Sequence, residues 1–147
     1  MFYKETEYAL RGLVYIQVQN YKGMRPGLAE IAKEIEAPAF YTAKILQKLA
    51  KQGFLLSMKG RGGGFYFDKD KAEIQLKDII SFTEGVNNVS GCCFGLKSCD
   101  ENNPCPLHEQ YKPIRESIDK LVTEETLQSL ARKVYEGNHS LLDCLKT

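Results

Sequence analysis

Apolar residues recur at helical spacing along the first fifty positions of the chain. The first set lies on one face of a segment at about residues 4–20 and consists of Leu10, Leu13, Val14, Val18 and Tyr21. The second set has the spacing i, i+3, i+4, i+7, must end before Pro38, and consists of Leu28, Ile31, Ala32 and Ile35. The third set repeats that spacing ahead of Gly53, a helix-closing residue, and consists of Thr42, Ile45, Leu46 and Leu49. Three helices, the last two joined by a tight turn, predict a helix-turn-helix.

The period then changes to one typical of strands. Residues 54–58 and 65–67 are apolar and aromatic runs, and a basic glycine-rich segment, Lys59-Gly60-Arg61-Gly62-Gly63-Gly64, joins them. A β-hairpin directly after the third helix predicts a winged helix, in which the third helix enters a major groove and the wing contacts the DNA backbone or minor groove. A nucleotide-binding loop is the alternative, but no Lys-Ser/Thr pair follows the glycines and the loop leads into a strand.

The second half of the chain is predicted to form helices, one of which has an apolar face that a second subunit could cover. A short linking helix contains Leu76, Ile79 and Ile80 and ends near Gly85. Beyond a polar, cysteine-containing loop, heptad-like spacing predicts a dimer seam of Leu107, Tyr111, Ile114, Ile118 and Leu121. Pro113 lies inside this helix and should kink it or mark its start. Thr123 is the predicted N-cap of a last helix that ends at Gly137.

The predicted fold is therefore mainly α with a small β-hairpin wing, a winged helix-turn-helix followed by a long C-terminal dimerisation helix. The predicted boundaries are residues 1–70 for the DNA-binding domain, 71–91 for the linking helix and loop, 92–108 for a cysteine loop, 106–137 for the dimerisation helices and 138–147 for a tail. A chain of 147 residues, 43% of them hydrophobic, is long enough for such a core. It has no apolar run of the ~18 residues that a membrane span needs and no secretory signal, so we expect a cytoplasmic protein.

The distribution of charge supports DNA binding. Residues 1–70 carry 11 basic and 7 acidic side chains, whereas residues 71–147 carry 9 and 12. No acid occurs between Glu36 and Asp68, as expected of a surface that contacts phosphates. The start of the third helix supplies candidate base contacts at Phe40, Tyr41, Ala43 and Lys44, with a core position as the alternative for Phe40. Candidate phosphate contacts are Lys48, Lys51, Lys59 and Arg61.

The cysteine loop predicts a metal centre. Cys93, Cys99, Cys105 and His108 have the spacing Cys-x5-Cys-x5-Cys-x2-His. Long spacers suit an irregular loop around an iron–sulfur cluster, three cysteines and a histidine also suit zinc, and free thiols could form a disulfide switch. A thiol enzyme using Cys105 and His108, or Cys92 and Cys93, is the alternative from another class. It would leave the basic winged helix unused, so we predict no catalytic residues.

Three motifs together resemble the Rrf2 family of bacterial winged-helix iron–sulfur transcription regulators. They are Thr6-Glu7-Tyr8-Ala9-Leu10-Arg11, the glycine-rich wing at 59–64, and the loop ending Asn103-Pro104-Cys105-Pro106-Leu107. The resemblance covers about residues 1–135. It implies a homodimer that binds a palindromic operator in double-stranded DNA. It also implies a [2Fe-2S] or [4Fe-4S] cluster held by Cys93, Cys99 and Cys105, which senses redox state, nitric oxide or cluster availability.

The resemblance leaves the fourth cluster ligand open. In IscR-like members it is a histidine that matches His108, and in NsrR-like members it is a carboxylate from the other subunit that matches Glu7. The family pattern implies no role for Cys92, and Cys144 in the tail is expected to be a spectator. A regulator of the same fold that holds no cluster and uses zinc or thiol oxidation is the alternative function.

Overall fold

The computed structural model describes residues 2–85, 91–97 and 100–137. Within these residues lie six helices and one two-stranded sheet: α1 (Lys4–Tyr21), α2 (Leu28–Glu34), α3 (Ala39–Lys51), β1 (Leu56–Met58), β2 (Gly64–Tyr66), α4 (Leu76–Glu84), α5 (His108–Glu124) and α6 (Leu127–Tyr135). They form two compact units, one comprising the chain up to Ile74 and again from Thr126, the other Gln75–Glu125. The predicted helix-turn-helix, the hairpin and the linking helix are confirmed. None of the described helices has the length and apolar character needed to cross a membrane.

The core of the first unit is built from the apolar faces of α1, α2 and α3. Leu13 and Ile16 of α1 are fully buried, as are Ile31 of α2 and Leu46 and Leu49 of α3. These are the positions that helical spacing placed on one face of each segment, with Ile16 added. Burial of a leucine or isoleucine stabilises the fold by about 1.5–3 kcal/mol. The three helices therefore hold α3 against α1 with its opposite face in solvent.

The hairpin is antiparallel, with Leu56 paired to Tyr66 and Met58 to Gly64. Asn20 at the end of α1 secures β2, because its side-chain amide donates to Phe65 O (3.3 Å) and its Oδ1 accepts from Phe67 N (2.9 Å). Gly64 has a φ of +143°, and a Cβ there would lie 2.2 Å from Arg25 O. Only glycine fits at this position, since the chain around Arg25 runs directly against the hairpin.

The last helix begins later than predicted and packs against α1. The prediction of an N-cap at Thr123 is wrong: α5 continues to Glu124, and Thr126 caps α6 in a capping box with Ser129. Thr123 is the second-last residue of α5, and Thr126 directly precedes Leu127, the first residue of α6. On α6, the Tyr135 ring lies 5.4 Å from the ring of Tyr21. The sequence predicts α6 as part of the dimerisation segment with α5, whereas α6 lies in the same compact unit as the winged helix.

The second unit consists of α4, α5 and the cysteine loop between them. Ile79 and Ile80 of α4 and Val122 of α5 are fully buried. Lys77 Nζ donates to Asp119 Oδ1 across the two helices at 2.9 Å. Helix α5 begins at His108 and continues through Pro113, so the proline does not mark the helix start.

Candidate DNA-binding surface and cysteine site

The outer face of α3 presents the predicted base-contacting residues to solvent. Phe40 is 68% exposed and Tyr41 is 59% exposed, so the structure excludes the alternative that Phe40 packs in the core. Their rings meet edge to face at 6.4 Å, and Lys44 Nζ lies 4.4 Å from the Phe40 ring centre. Ala43 is half-buried beside them. The start of α3 therefore carries an exposed aromatic pair with a lysine held over it.

A cleft of about 440 Å³ separates the first turns of α1 from α3. Its lining contains three lysines and one acid along with aromatic and apolar residues: Lys4, Glu5, Tyr8, Pro38, Tyr41, Lys44, Ile45 and Lys48. Lys48 Nζ lies 3.1 Å from Glu5 Oε1, and neither α1 nor α3 has a side-chain N-cap at the end that borders the cleft. Uncapped helix N-termini and lysines both favour anions. Sequence reasoning missed the contribution of α1, because Lys4 is 40 residues from Lys44 in the chain.

The wing carries one cationic residue more than the sequence indicated. Lys59 and Arg61 are exposed at its tip, as predicted, and Lys51 is exposed at the end of α3. Arg25, from the segment after α1, lies over the Tyr66 ring with Cζ 4.0 Å from the ring centre. Arg25 has no basic neighbours in sequence beyond Lys22, so clustering of charge does not identify it as part of the wing surface.

Three cysteine sulfurs converge in the loop before α5. The Sγ atoms of Cys92, Cys93 and Cys105 all lie within 4.8 Å of one another. Cys99 lies outside the described residues, so its predicted place in the site remains a prediction. No histidine or carboxylate from the described part of the chain joins this group of three sulfurs. Thiolates are the ligands that zinc and iron–sulfur clusters prefer, so the donors present fit either centre.

The surroundings of Cys92 and Cys105 differ in their effect on the thiols. The backbone N–H of Phe94 points at the Cys92 sulfur and, together with the N–H of Leu96, lowers the pKa of this thiol. Partial burial raises the pKa of the Cys105 thiol, and its hydrogen bond to Cys92 acts in the same direction. Cys92 is therefore the more acidic thiol of the two. Sequence reasoning set Cys92 aside because no family ligand falls at its position.

The two predicted fourth ligands lie in different settings. His108 is only 5% exposed at the start of α5, and its backbone N–H donates to Cys105 O at 3.0 Å. Glu7 is half-exposed in the first turns of α1 and forms an ion pair with Lys4 at 3.1 Å. Either residue as a ligand remains a prediction.

The predicted dimer seam leaves apolar side chains in solvent. Ile114 is 54% and Leu121 is 52% exposed on α5, and Leu107 is exposed just before it. Tyr111 and Ile118 are half-buried. An exposed apolar stripe along one helix is typical of a helix that pairs with another.

Comparison with known proteins agrees with this surface. The model of the Rrf2 family, described as an iron-dependent transcriptional regulator, matches residues 2–133. An HTH-type transcriptional regulator of Aquifex aeolicus is 29% identical over 133 residues, which cover 88% of this chain and 91% of that protein. The regulator IscR of Serratia proteamaculans is 25% identical over 84% of this chain and 74% of its own length.

Solved structures show the same fold. The global cysteine regulator CymR of B. subtilis superposes with a TM-score of 0.71 at 20% identity, covering 90% of this chain and 96% of that one. T. potens IscR has a TM-score of 0.69 at 18% identity, covering 95% and 92%. Since the family model spans nearly the whole sequence, the chain belongs to the Rrf2 family of DNA-binding transcriptional regulators.

Proposed function

We propose that the protein is a cytoplasmic homodimeric regulator that binds a palindromic operator and whose binding is controlled by an iron–sulfur cluster. The observation that carries this proposal is the convergence of cysteine thiols in a chain whose other unit exposes a cationic, aromatic helix-turn-helix surface. DNA recognition and thiol chemistry are the two parts that such a regulator needs.

The DNA contacts divide by chemistry. Tyr41 and Lys44 at the start of α3 would reach base edges, with Phe40 and Ala43 giving apolar contact to thymine methyl groups. Lys48, Lys51, Lys59 and Arg61 neutralise phosphates and contribute affinity that decreases with salt. Two copies related by a twofold axis would read the two half-sites of a palindrome.

Dimerisation would use α5. Its exposed residues Ile114 and Leu121, with Leu107, Tyr111 and Ile118, form an apolar stripe that a second copy of the same helix can cover. Covering these side chains removes apolar surface from water at about 25 cal/mol per Å². A charged residue in this stripe, as in Leu121→Glu, should convert the dimer to monomer in sedimentation experiments.

The cluster would be held by Cys93, Cys99 and Cys105, with a fourth ligand from His108 or from Glu7 of the partner subunit. A bound cluster supplies a centre that reacts with oxidants or nitric oxide. The chain's own residues hold the cluster in the loop, and the Lys112–Glu101 ion pair ties that loop to α5. Gain or loss of ligand bonds can then shift DNA affinity by as much as they favour one arrangement of the dimer over the other.

The test is purification without air, followed by iron and sulfide analysis and visible absorbance. We expect a coloured dimer whose affinity for a duplex operator fragment, selected from random DNA, changes after exposure to nitric oxide or oxygen. A colourless protein without iron and sulfide would exclude the cluster. His108→Ala and Glu7→Gln, compared by absorbance, would identify the fourth ligand as the residue whose loss changes the spectrum.

Thiol oxidation is the second candidate control. It is favoured by the proximity of the Cys92 and Cys105 sulfurs and by the fold likeness to S. aureus CymR, whose oxidized form has been solved and which superposes with a TM-score of 0.66 at 21% identity. Oxidation of the two thiols would join the sulfurs and transfer two electrons to an oxidant such as hydrogen peroxide, which is reduced to water. Peroxide treatment of metal-free protein should then change DNA binding reversibly with dithiothreitol.

A further inference from the structure

Cys92 and Cys105 each begin a backbone turn, and the two turns have the same hydrogen-bond pattern. Gly95 N donates to Cys92 O at 2.9 Å, and His108 N donates to Cys105 O at 3.0 Å. In each turn the hydrogen bond joins the cysteine to the residue three positions later, the pattern of a β-turn. The sequences, Cys92-Cys93-Phe94-Gly95 and Cys105-Pro106-Leu107-His108, share only their first residue, so the likeness lies in the backbone.

Each turn also directs a backbone N–H at its own cysteine sulfur. Phe94 N–H points at the sulfur of Cys92, and Leu107 N–H points at the sulfur of Cys105. In both cases the donor is the residue two positions after the cysteine. Hydrogen bonds of this kind stabilise a negatively charged sulfur and hold it in one orientation, which is how surrounding groups tune thiolate ligands. Cys92 is thus prepared for a metal in the same way as Cys105, a predicted ligand.

The spacing of the sulfurs is close to that of a coordination shell. Thiolates at ~2.3 Å from one tetrahedral metal ion lie about 3.8 Å from each other. The sulfurs of Cys92, Cys93 and Cys105 are already within 4.8 Å of one another. Cys92 and Cys105 are half-buried, and Cys93 is exposed at the rim. Three sulfurs that approach so closely without a disulfide bond between them are suited to share a cation.

We propose that Cys92 is a metal ligand, so that Cys92, Cys93 and Cys105 together bind a thiophilic metal centre, either an iron of the cluster or a zinc ion. This inference rests on the proposed metal-dependent function and assigns it a further ligand. Each thiol releases its proton when it binds the metal. Cys92 thereby adds one sulfur to those of Cys93 and Cys105, all from the same chain.

Cys92 also suits this role better than the histidine that follows Cys105. The ring nitrogens of His108 do not join the group of three sulfurs, and the side chain is already buried at the start of α5. The sulfur of Cys92 needs a shift of only about one ångström or less to reach the spacing of a tetrahedral shell. Cys92 is therefore closer to a coordinating position than His108 among the described residues.

The experiment compares wild type with Cys92→Ala and Cys92→Ser, and uses Cys144→Ala as the matched control. Each protein is prepared without air and assayed for iron, zinc and acid-labile sulfide. The metal-free proteins are then titrated with Co²⁺, whose thiolate charge-transfer absorbance grows with the number of bound sulfurs. We expect both Cys92 variants to lose the share of this absorbance that one bound sulfur contributes and to bind Co²⁺ about 10-fold or more weakly, since even indirect partners of a metal ligand matter by that factor.

The outcomes separate this inference from the proposed function. If wild type binds no metal, metal control and the role of Cys92 both fail, while DNA binding remains testable by itself. If wild type binds metal and the Cys92 variants keep the wild-type absorbance and affinity, the role of Cys92 alone is overturned. Equal unfolding midpoints of the metal-free proteins in urea would show that a loss of metal is not a loss of fold. Iron with sulfide indicates a cluster, and zinc without sulfide indicates a single ion; either supports Cys92 as a ligand if its variants are impaired.

Discussion

The guanidinium carbon of Arg25 lies 4.0 Å from the centre of the Tyr66 ring, which places a cation from the segment after α1 on the face of the wing. Nη1 of the same side chain also lies 3.4 Å from Met58 Sδ on the other strand. Among the described residues no carboxylate forms an ion pair with Arg25. A guanidinium held over an aromatic ring is preorganised and remains available to phosphate.

We therefore predict that Arg25→Ala weakens DNA binding. Loss of one phosphate contact in each subunit should reduce the slope of log affinity against log salt by about 2 for the dimer. Fluorescence anisotropy with a labelled random-sequence duplex at several salt concentrations measures this slope. Lys22→Ala, which removes the same charge three residues earlier, is the control and should change the slope less. Equal slopes for the two variants would contradict a special role for Arg25.

Glu5 is predicted to restrain DNA binding. Its carboxylate pairs with Lys48 at 3.1 Å in the cleft between α1 and α3, so it competes with phosphate for that lysine. Glu5→Gln should raise affinity for duplex DNA several-fold at low ionic strength, with a smaller gain at high salt because exposed charges are screened. Glu136→Gln makes the same change in net charge after α6 and should have little effect. Unchanged affinity in Glu5→Gln would mean that Lys48 does not contact DNA.

Glu36, in the turn between α2 and α3, has a φ of +54°. A side chain in this left-handed region costs about 1–2 kcal/mol, part of which glycine loses again through its greater freedom in the unfolded chain. Glu36→Gly should therefore stabilise the protein by about 0.5–1 kcal/mol, measured by urea unfolding. Glu34→Gly, which places glycine in the last residue of α2, should instead destabilise it. Destabilisation by both variants would show that the turn is not strained.

The Glu73 carboxylate accepts hydrogen bonds from Arg132 and Thr126, and the Arg132 guanidinium lowers its pKa. A lowered pKa in the folded state contributes stability above the unfolded-state value, and this stability is lost as pH falls through the folded-state value. Because the pair is about half-exposed, we expect no more than about 1 kcal/mol. Glu73→Gln should lower the melting temperature at pH 7 and make little difference at pH 3. An equal decrease in melting temperature at pH 7 and pH 3 would mean that the charge of Glu73 is not the cause.

The sequence by itself determined the local structure of this protein. Apolar spacing placed Leu13, Ile31 and Leu46 on buried faces, and these residues do form the core of the helix-turn-helix. The change of period and the glycines between Lys59 and Gly64 located the wing. These signals are readable because each depends on residues a few positions apart, where the repeat of a helix or strand decides which side chains share a face. The cysteines of the loop also lie only a few positions apart, so their spacing locates the loop in the sequence.

The tertiary structure decided which distant residues meet. Arg25 reaches the wing because the chain after α1 runs against β2, and Lys4 shares a cleft with Lys44 because α1 packs on α3. Helix α6 is capped by Thr126 and not by Thr123, because Thr126 forms a capping box with Ser129. The sulfur of Cys92 lies close to that of Cys105, and the two cysteines begin backbone turns thirteen residues apart. No periodic pattern in the sequence indicates this proximity. The spacing of apolar residues indicates which face of a helix or strand is buried. Contacts between distant segments depend on how those faces pack in three dimensions.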